Sequence, residues 1–253
     1  MVGTVAPSLR ALLGSLIDYA GMFLPASLTR EGAIANYRRY RSDEHAWMLG
    51  RFVISAPQID EAPADLDGCF TVLSDADHPR AAAIESKKII STSKPTYCEA
   101  WIEQLDEVKK ARSFAKIRSG GITPDAIPSV EAVASYVIAC AERRLPFKAT
   151  AGLHHPVRQL HRLTYEPDAC FAMMHGFINV FLAAAFAWHG ERQIRPILAE
   201  TDASAFRFDD RAHWRELSLS SDEVAEARNS FVHSFGSCSF EEPIEDMRAL
   251  GWL

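Results

Sequence analysis

The length, composition and charge of the chain restrict what it can be. Its 253 residues are many for one ordinary domain but normal for a closed barrel of eight strand–helix units. With 27 basic and 33 acidic residues the formal net charge is −6, and no lysine or arginine cluster typical of phosphate-backbone binding is present. Nucleic acid is therefore not expected as a partner.

The cysteine pattern and the apolar segments bear on the cellular compartment. The five cysteines are odd in number and scattered, without the spacing of a disulfide framework or a zinc site. The stretch Met1–Pro7 has no basic region followed by a long apolar core, so a secretory signal is not expected. The apolar segment Ala169–Trp188 contains His175 and Asn179 and lacks basic flanks, which favours a buried helix over a membrane span. A cytoplasmic location is the expectation.

Short apolar runs alternate with amphipathic stretches, as in parallel strands joined by crossover helices. In chain order the sequence predicts strands over Leu16–Tyr19, Trp47–Ser55, Cys69–Ser74, Thr96–Trp101, Phe114–Arg118, Phe147–Ala151, Ile194–Ala199 and Phe231–Ser237. It predicts helices over Leu28–Tyr40, Ala81–Ile89, Val130–Arg143, Asp168–Trp188, Asp222–Ser230 and Glu241–Leu250. The region Phe206–Leu219 indicates a small hairpin outside the barrel. Together these elements predict an α/β fold, a TIM-like (β/α)8 barrel forming one domain over residues 1–253.

The first candidate site lies in the predicted strand Phe114–Arg118 and the loop after it. Lys116 and Arg118 are two residues apart and share a face of the strand. Two cations inside a barrel need acidic partners or an anionic ligand. Gly120 and Gly121 follow, and a turn with positive φ would present their N–H groups to a carboxylate or phosphate. This segment predicts an anion site.

The second candidate site lies in the predicted strand Phe147–Ala151 and the loop after it. Lys148 and Thr150 share a face of the strand, which leads to His154, His155 and Arg158. A lysine among apolar and small residues is desolvated, which lowers its pKa and makes the amine a nucleophile or base. Adjacent histidines point to different sides, so at most one faces a given ligand. Lys148 is the main catalytic candidate.

Carboxylates at strand ends are the expected counterparts of these cations: Asp18, Glu99 and Glu200. Glu99 is placed to act as an acid/base or a metal ligand. The alternative for Lys116 and Arg118 is an internal salt-bridge network with Glu99 or Glu200.

The third candidate site lies where the last strand runs into the last helix. Ser237 and Ser239 would form an anion site at the positive end of the helix dipole. The alternative is that Ser239 is an N-cap and Glu242 closes a capping box. Cys238 needs a neighbouring base to act as a nucleophile, and none is close in sequence.

Two resemblances accompany these motifs. A family of uncharacterised bacterial proteins resembles this chain over nearly its whole length, at Lys116–Gly121, Phe147–Arg158, His175–Phe181 and Ser234–Pro243. No activity comes with that resemblance. The run Phe147-Lys-Ala-Thr-Ala-Gly152 is similar to the sixth-strand motif of deoxyribose-phosphate aldolases, which implies a Schiff-base role for Lys148. The second serine or threonine of that motif is Ala151 here, and the aldolases' seventh-strand lysine has no counterpart in Ile194–Asp202.

The leading functional hypothesis is a cofactor-independent lyase, aldolase or isomerase that acts on a small carboxylated or phosphorylated metabolite. The residues assigned to this function are either catalytic or substrate-binding. Lys148 is the Schiff-base lysine or general base, and Glu99 or His155 moves protons. Lys116, counted with these catalytic residues, helps to bind the anion of the substrate. The expected substrate-binding residues are Arg118, Gly120, Gly121, Thr150, His154, Arg158, Ser237 and Ser239.

Two alternatives stay open. One is a divalent-metal lyase or hydrolase with ligands drawn from Glu99, His154, His155 and Glu200. The other is a non-catalytic barrel that binds a metabolite or serves as a subunit, for example of a homo-oligomer. No nucleotide cofactor is expected, because the sequence has neither a GxGxxG nor a GxxxxGK[ST] motif.

Overall fold

The computed structural model describes residues 5–253. Residues 1–4, the start of the stretch Met1–Pro7 in which no secretory signal is expected, lie outside the described residues. The strands are β1 (Ile17–Tyr19), β2 (Leu49–Ser55), β3 (Phe70–Leu73), β4 (Ala81–Ser86), β5 (Thr96–Glu99), β6 (Phe114–Arg118), β7 (Phe147–Thr150), β8 (Gln159–Arg162), β9 (Phe171–Met174), β10 (Phe206–Phe208), β11 (Arg211–Trp214), β12 (Leu217–Ser220) and β13 (Val232–Ser237). The helices are α1 (Pro7–Leu13), α2 (Arg30–Arg41), α3 (Ala56–Ile59), α4 (Leu105–Lys110), α5 (Val130–Glu142), α6 (Phe177–Trp188), α7 (Arg195–Ala199), α8 (Ser221–Ser230) and α9 (Glu241–Ala249).

Eight parallel strands close into a barrel in the order β1-β13-β7-β6-β5-β4-β3-β2. The predicted TIM-like α/β barrel is therefore confirmed. The helix starts follow their capping residues: Ser129 accepts a hydrogen bond from the backbone N–H of Ala132 at α5, and Ser220 forms a capping box with Glu223 at α8. The connections after β3 and β4 contain no helix, so the barrel is irregular on that side.

Two elements were assigned to the wrong class from the sequence. Residues 194–199 contain helix α7 and no strand, because Pro196 fits the first turn of a helix and cannot donate a hydrogen bond within a sheet. The predicted helix Ala81–Ile89 is instead strand β4, which pairs with β3 and β5. Its alanines favour a helix in isolation, but burial between neighbouring strands decides the outcome.

The segment between β7 and β13 carries the elements outside the barrel. The predicted helix Asp168–Trp188 is divided, since β9 pairs with β8 as a hairpin and helix α6 begins only at Phe177. Strands β10, β11 and β12 form a separate antiparallel sheet where a hairpin was predicted. Every helix in residues 5–253 falls short of the length and apolarity needed to cross a membrane.

Candidate active site at the carboxyl end of the barrel

A cavity of about 710 Å³ lies at the carboxyl ends of the barrel strands. Side chains of the sequence-predicted site face it from three adjacent strands: Glu99 of β5, Lys116 and Arg118 of β6, and Thr150 of β7. In barrels of parallel strands this end is where loops meet and chemistry takes place. The structure therefore brings together four residues that the sequence singled out.

Lys148 lies beneath the cavity and does not line it. Its side chain is fully buried, and its Nζ lies 2.5 Å from Asp18 Oδ2 and 2.6 Å from Glu85 Oε1. Burial acts to lower the pKa of Lys148, but the two carboxylates outweigh burial and raise the pKa above its ordinary value. The predicted lowering of this pKa is wrong, because the sequence did not show that Lys148 lies between two carboxylates.

A network of buried charges connects Lys148 to the cavity. Glu85 contacts both lysines, and its Oε2 lies 3.4 Å from Lys116 Nζ. Glu99 Oε2 lies 3.5 Å from the same Nζ, and its side chain is 38 % exposed. Burial acts to raise the pKa values of Asp18 and Glu85, but the charge of Lys148 lowers both below their ordinary values. The internal salt-bridge network proposed from the sequence thus includes Glu99.

Glu200, the other partner proposed for that network, lies elsewhere. Its Oε2 accepts hydrogen bonds from Arg215 at 2.7 Å and Trp214 at 3.2 Å, beside the small antiparallel sheet. The prediction that Glu200 follows a barrel strand fails together with the assignment of residues 194–199 as a strand.

Arg118 is exposed at the rim of the cavity and forms no ion pair with any residue from 5 to 253. The predicted turn with positive φ is not formed by the glycines after it, since neither Gly120 nor Gly121 has positive φ, although Gly121 lines the cavity. Gly120 is needed for close approach: a Cβ there would lie 2.8 Å from Gly152 Cα. The loops after β6 and β7 are therefore in close contact, and the positive φ belongs to Ala151 and Gly152.

The histidine pair points in two directions, as predicted. His154 faces the cavity, with its Nδ1 2.9 Å from Glu242 Oε2 and its Nε2 3.9 Å from Cys238 Sγ. His155 lines an adjoining depression, which His154 also borders. There its Nδ1 lies 2.6 Å from Asp246 Oδ2 and its ring stacks on that of His161 at 3.3 Å between centroids. The predicted role of His155 in proton transfer at the main cavity therefore has no geometric support.

Three further predicted substrate-binding residues lie away from the cavity lining. The side chain of Arg158 borders a surface depression beside α5, and its backbone N–H donates to Asn179 Oδ1 at 2.8 Å. Ser237 is buried, and its Oγ accepts a hydrogen bond from the N–H of Ser239. Ser239 Oγ accepts from the N–H of Glu242 at 3.1 Å, which is the capping role weighed as the alternative.

One residue and one contact of the candidate site were not predicted from the sequence. Glu85 was hidden because its strand was predicted as a helix. The pairing of Cys238 with His154 joins residues 84 positions apart, although each lies in a motif that the sequence analysis singled out. Glu242 was expected to close a capping box, whereas its carboxylate accepts from Tyr165 and contacts His154.

The ligand set of the metal hypothesis is not assembled. Of the two histidines only His154 lines the main cavity, and Glu200 is at the small sheet. In the part of the chain that the structure describes, no three His, Cys, Asp or Glu side chains are grouped so as to hold a metal ion.

Comparison with protein-family models, with curated proteins and with solved structures finds no match to this chain. The fold and the cavity therefore define its class, an α/β barrel with a charged cavity at the carboxyl ends of its strands.

Proposed function

We propose that the protein is an enzyme of the lyase, aldolase or isomerase type, which acts on a small carboxylated or phosphorylated metabolite at this cavity. The observation that carries the proposal is the pair of cations on β6. Lys116 and Arg118 both line the cavity, and Arg118 is exposed at its rim. An anionic group of the substrate would pair with Arg118, as guanidinium groups pair with carboxylates and phosphates.

The reactive amine of this proposal is Lys116 in place of Lys148. Lys148 is enclosed and hydrogen-bonded to two carboxylates, whereas Lys116 lines the cavity with its carboxylate partners at 3.4 and 3.5 Å. The Lys116 amine would add to a substrate carbonyl and lose water to form a Schiff base, and Glu99 would accept and return the protons. Lys148 then acts as a positioning residue that holds Glu85 ionised beside Lys116.

The order of strands changes how the aldolase resemblance bears on this proposal. Because β4 is a barrel strand, β6 is the sixth strand of the barrel and β7 the seventh. Lys116 and Lys148 are directly paired in register on these two strands. The resemblance lies in Phe147–Gly152, which is on the seventh barrel strand, and it implied a Schiff-base role for Lys148 only. The proposal for Lys116 rests instead on its place in the cavity lining.

Borohydride trapping tests the assignment. The protein is incubated with a panel of small keto acids and phosphorylated aldehydes, reduced, digested and mapped by mass spectrometry. We expect a reduced adduct on Lys116, its loss in Lys116→Met and its persistence in Lys88→Met, a matched control at the rim of the same cavity. An adduct on Lys148 instead would return the Schiff-base role to that residue.

The cellular location is part of the proposal. All five cysteines are free thiols, which suits a reducing compartment such as the cytoplasm.

A further inference from the structure

We propose that Cys238, His154 and Glu242 form a nucleophilic thiol site on the β13 side of this cavity, and that it accepts an acyl group from a small ester, thioester or amide that bears an anionic group. This goes beyond the proposed lysine chemistry, since it assigns a second reactive group to the cavity. Only the preference for an anionic substrate rests on the proposed function.

The three side chains stand in the order that nucleophilic catalysis requires. His154 Nε2 faces Cys238 Sγ at 3.9 Å, and the other ring nitrogen, Nδ1, lies 2.9 Å from Glu242 Oε2. A base that contacts the nucleophile through one nitrogen and a carboxylate through the other is held in one orientation and stabilised when it takes up a proton. Tyr165 donates to the same Glu242 oxygen at 3.1 Å and lies 3.7 Å from Cys238 Sγ.

The backbone fixes these groups in place. Cys238 follows β13 directly and precedes α9, while Glu242 is in the first turn of that helix. Ser239 Oγ accepts from the N–H of Glu242, which holds this turn. His154 arrives from the loop after β7, where Ala151 and Gly152 adopt positive φ. Cys238 and His154 both line the cavity that holds Lys116 and Arg118.

The charge of His154 agrees with this arrangement. Burial alone would lower the pKa of its imidazole, but its contacts with Cys238 and Glu242 raise that pKa to about 9. A raised pKa makes the imidazole a stronger base, as suits a group that takes up the proton of a nucleophile. Cys140 is a useful contrast, because burial raises the pKa of its thiol and it has no such partner among the described residues.

The proposed reaction balances with water as the only co-reactant. The thiol proton moves to His154 Nε2, the Sγ–carbonyl carbon bond forms, and the carbonyl π electrons move to oxygen. When they return, the bond to the leaving group breaks and that group takes the proton from His154. Water then adds to the thioester, giving a proton to His154, and the carbon–sulfur bond breaks to release the acid and restore the thiol.

Alkylation at two pH values tests the thiol. Iodoacetamide is added at pH 6 and pH 8.5, and labelling of each cysteine is followed by mass spectrometry. Cys170 is the internal control, because it is exposed while Cys238 is 6 % exposed. We expect Cys238 to be labelled faster than Cys170 at pH 6, where an ordinary thiol of pKa about 8.5 is almost wholly protonated. Labelling of Cys238 no faster than that of Cys170 at pH 6 would overturn the proposal.

The variant His154→Gln tests the base. We expect its Cys238 labelling at pH 6 to fall about tenfold, because the variant lacks the base that takes up the thiol proton. Labelling of Cys170 should not change, and circular dichroism checks that the variant is folded. An unchanged Cys238 rate in the folded variant would contradict the triad. Because the wild-type measurement needs no variant, a variant that unfolds does not remove the test.

Acyl capture separates this proposal from the lysine chemistry. Brief incubation with p-nitrophenyl acetate should place an acetyl group on Cys238 in the wild type and in Lys116→Met, but none in Cys238→Ser. Iodoacetate should be preferred over iodoacetamide in the wild type, and that preference should fall in Arg118→Gln. Capture without the preference would refute the anion site alone, and the preference without capture would refute acyl transfer.

Discussion

Lys148 Nζ lies 2.5 Å from Asp18 Oδ2, and the two residues are 130 positions apart in the chain. Asp18 is held from its other side as well, because its Oδ1 accepts the backbone N–H of Arg51 and its Oδ2 accepts the hydroxyl of Ser234. With Glu85, the pair links β1, β4 and β7 across the interior of the barrel. The first expected effect of removing Lys148 is therefore on the stability of the fold.

The variant Lys148→Met should destabilise the fold strongly. Its loss leaves two buried carboxylates without their cation, which costs about 3–5 kcal/mol of unfolding free energy for a broken buried pair. Lys116→Met should cost less, because Glu85 keeps Lys148 and Glu99 is partly exposed to water. Urea denaturation of the two variants measures the difference. A Lys148→Met protein as stable as the wild type but inactive would show that this lysine is catalytic.

Gly120→Ala should destabilise the contact between the loops after β6 and β7. Its Cβ would lie 2.8 Å from Gly152 Cα, so backbone must move, and overpacking of this kind costs about 1–3 kcal/mol. Gly14→Ala is the matched control, since φ is −55° there and its Cβ would meet its nearest neighbour at an ordinary 3.4 Å. Thermal unfolding compares the two. Equal midpoints would show that the two loops can separate without cost.

Arg118→Gln should weaken anion binding without affecting the fold. Arg118 is exposed and unpaired within residues 5–253, so its removal should change stability by less than about 0.5 kcal/mol. Loss of one charge-assisted hydrogen bond should raise the Kd for inorganic phosphate about tenfold. Calorimetric titration measures it, with the exposed Lys110→Gln as control. Equal phosphate affinity in both variants would move the anion site away from Arg118.

The sequence predicted the barrel because seven of its strands are short apolar runs, a pattern that is local in the chain. It placed Lys116, Arg118, Glu99 and Thr150 at one cavity because residues of one parity near the strand ends face the same way. It failed at Lys148, since the charge state of a buried amine depends on which carboxylates the closed barrel brings to it. The Cys238–His154 contact was equally hidden, because it forms only when β7 and β13 become neighbours.

His233 should make the fold sensitive to acid. Burial, and then the charge of Arg228, lower the pKa of its imidazole to about 4 from the ordinary 6.5. Because this pKa is lowered, the stability that the neutral His233 imidazole contributes is present above about pH 6.5 and is lost as the pH falls towards 4. His233→Gln should therefore show a smaller loss of unfolding free energy between pH 6.5 and 4. His161, whose pKa is also lowered to about 4, accounts for part of the slope that remains.

Glu242→Gln should change how the unfolding free energy depends on pH above pH 6.5, whereas the effect of His233 lies below pH 6.5. The pKa of His154 is raised to about 9, so its contribution is fully present below about pH 6.5 and is lost as the pH rises through about 9. At 1.36 kcal/mol per pH unit this amounts to at most about 3 kcal/mol. Removing the Glu242 carboxylate takes away part of the cause of the shift, and the decline in unfolding free energy from pH 6.5 to 9 should become shallower. Glu241→Gln is the matched control, since the neighbouring carboxylate pairs with Arg39 at the surface. Urea denaturation at a series of pH values distinguishes them, and parallel profiles for the two variants would show that Glu242 does not hold the charge on His154.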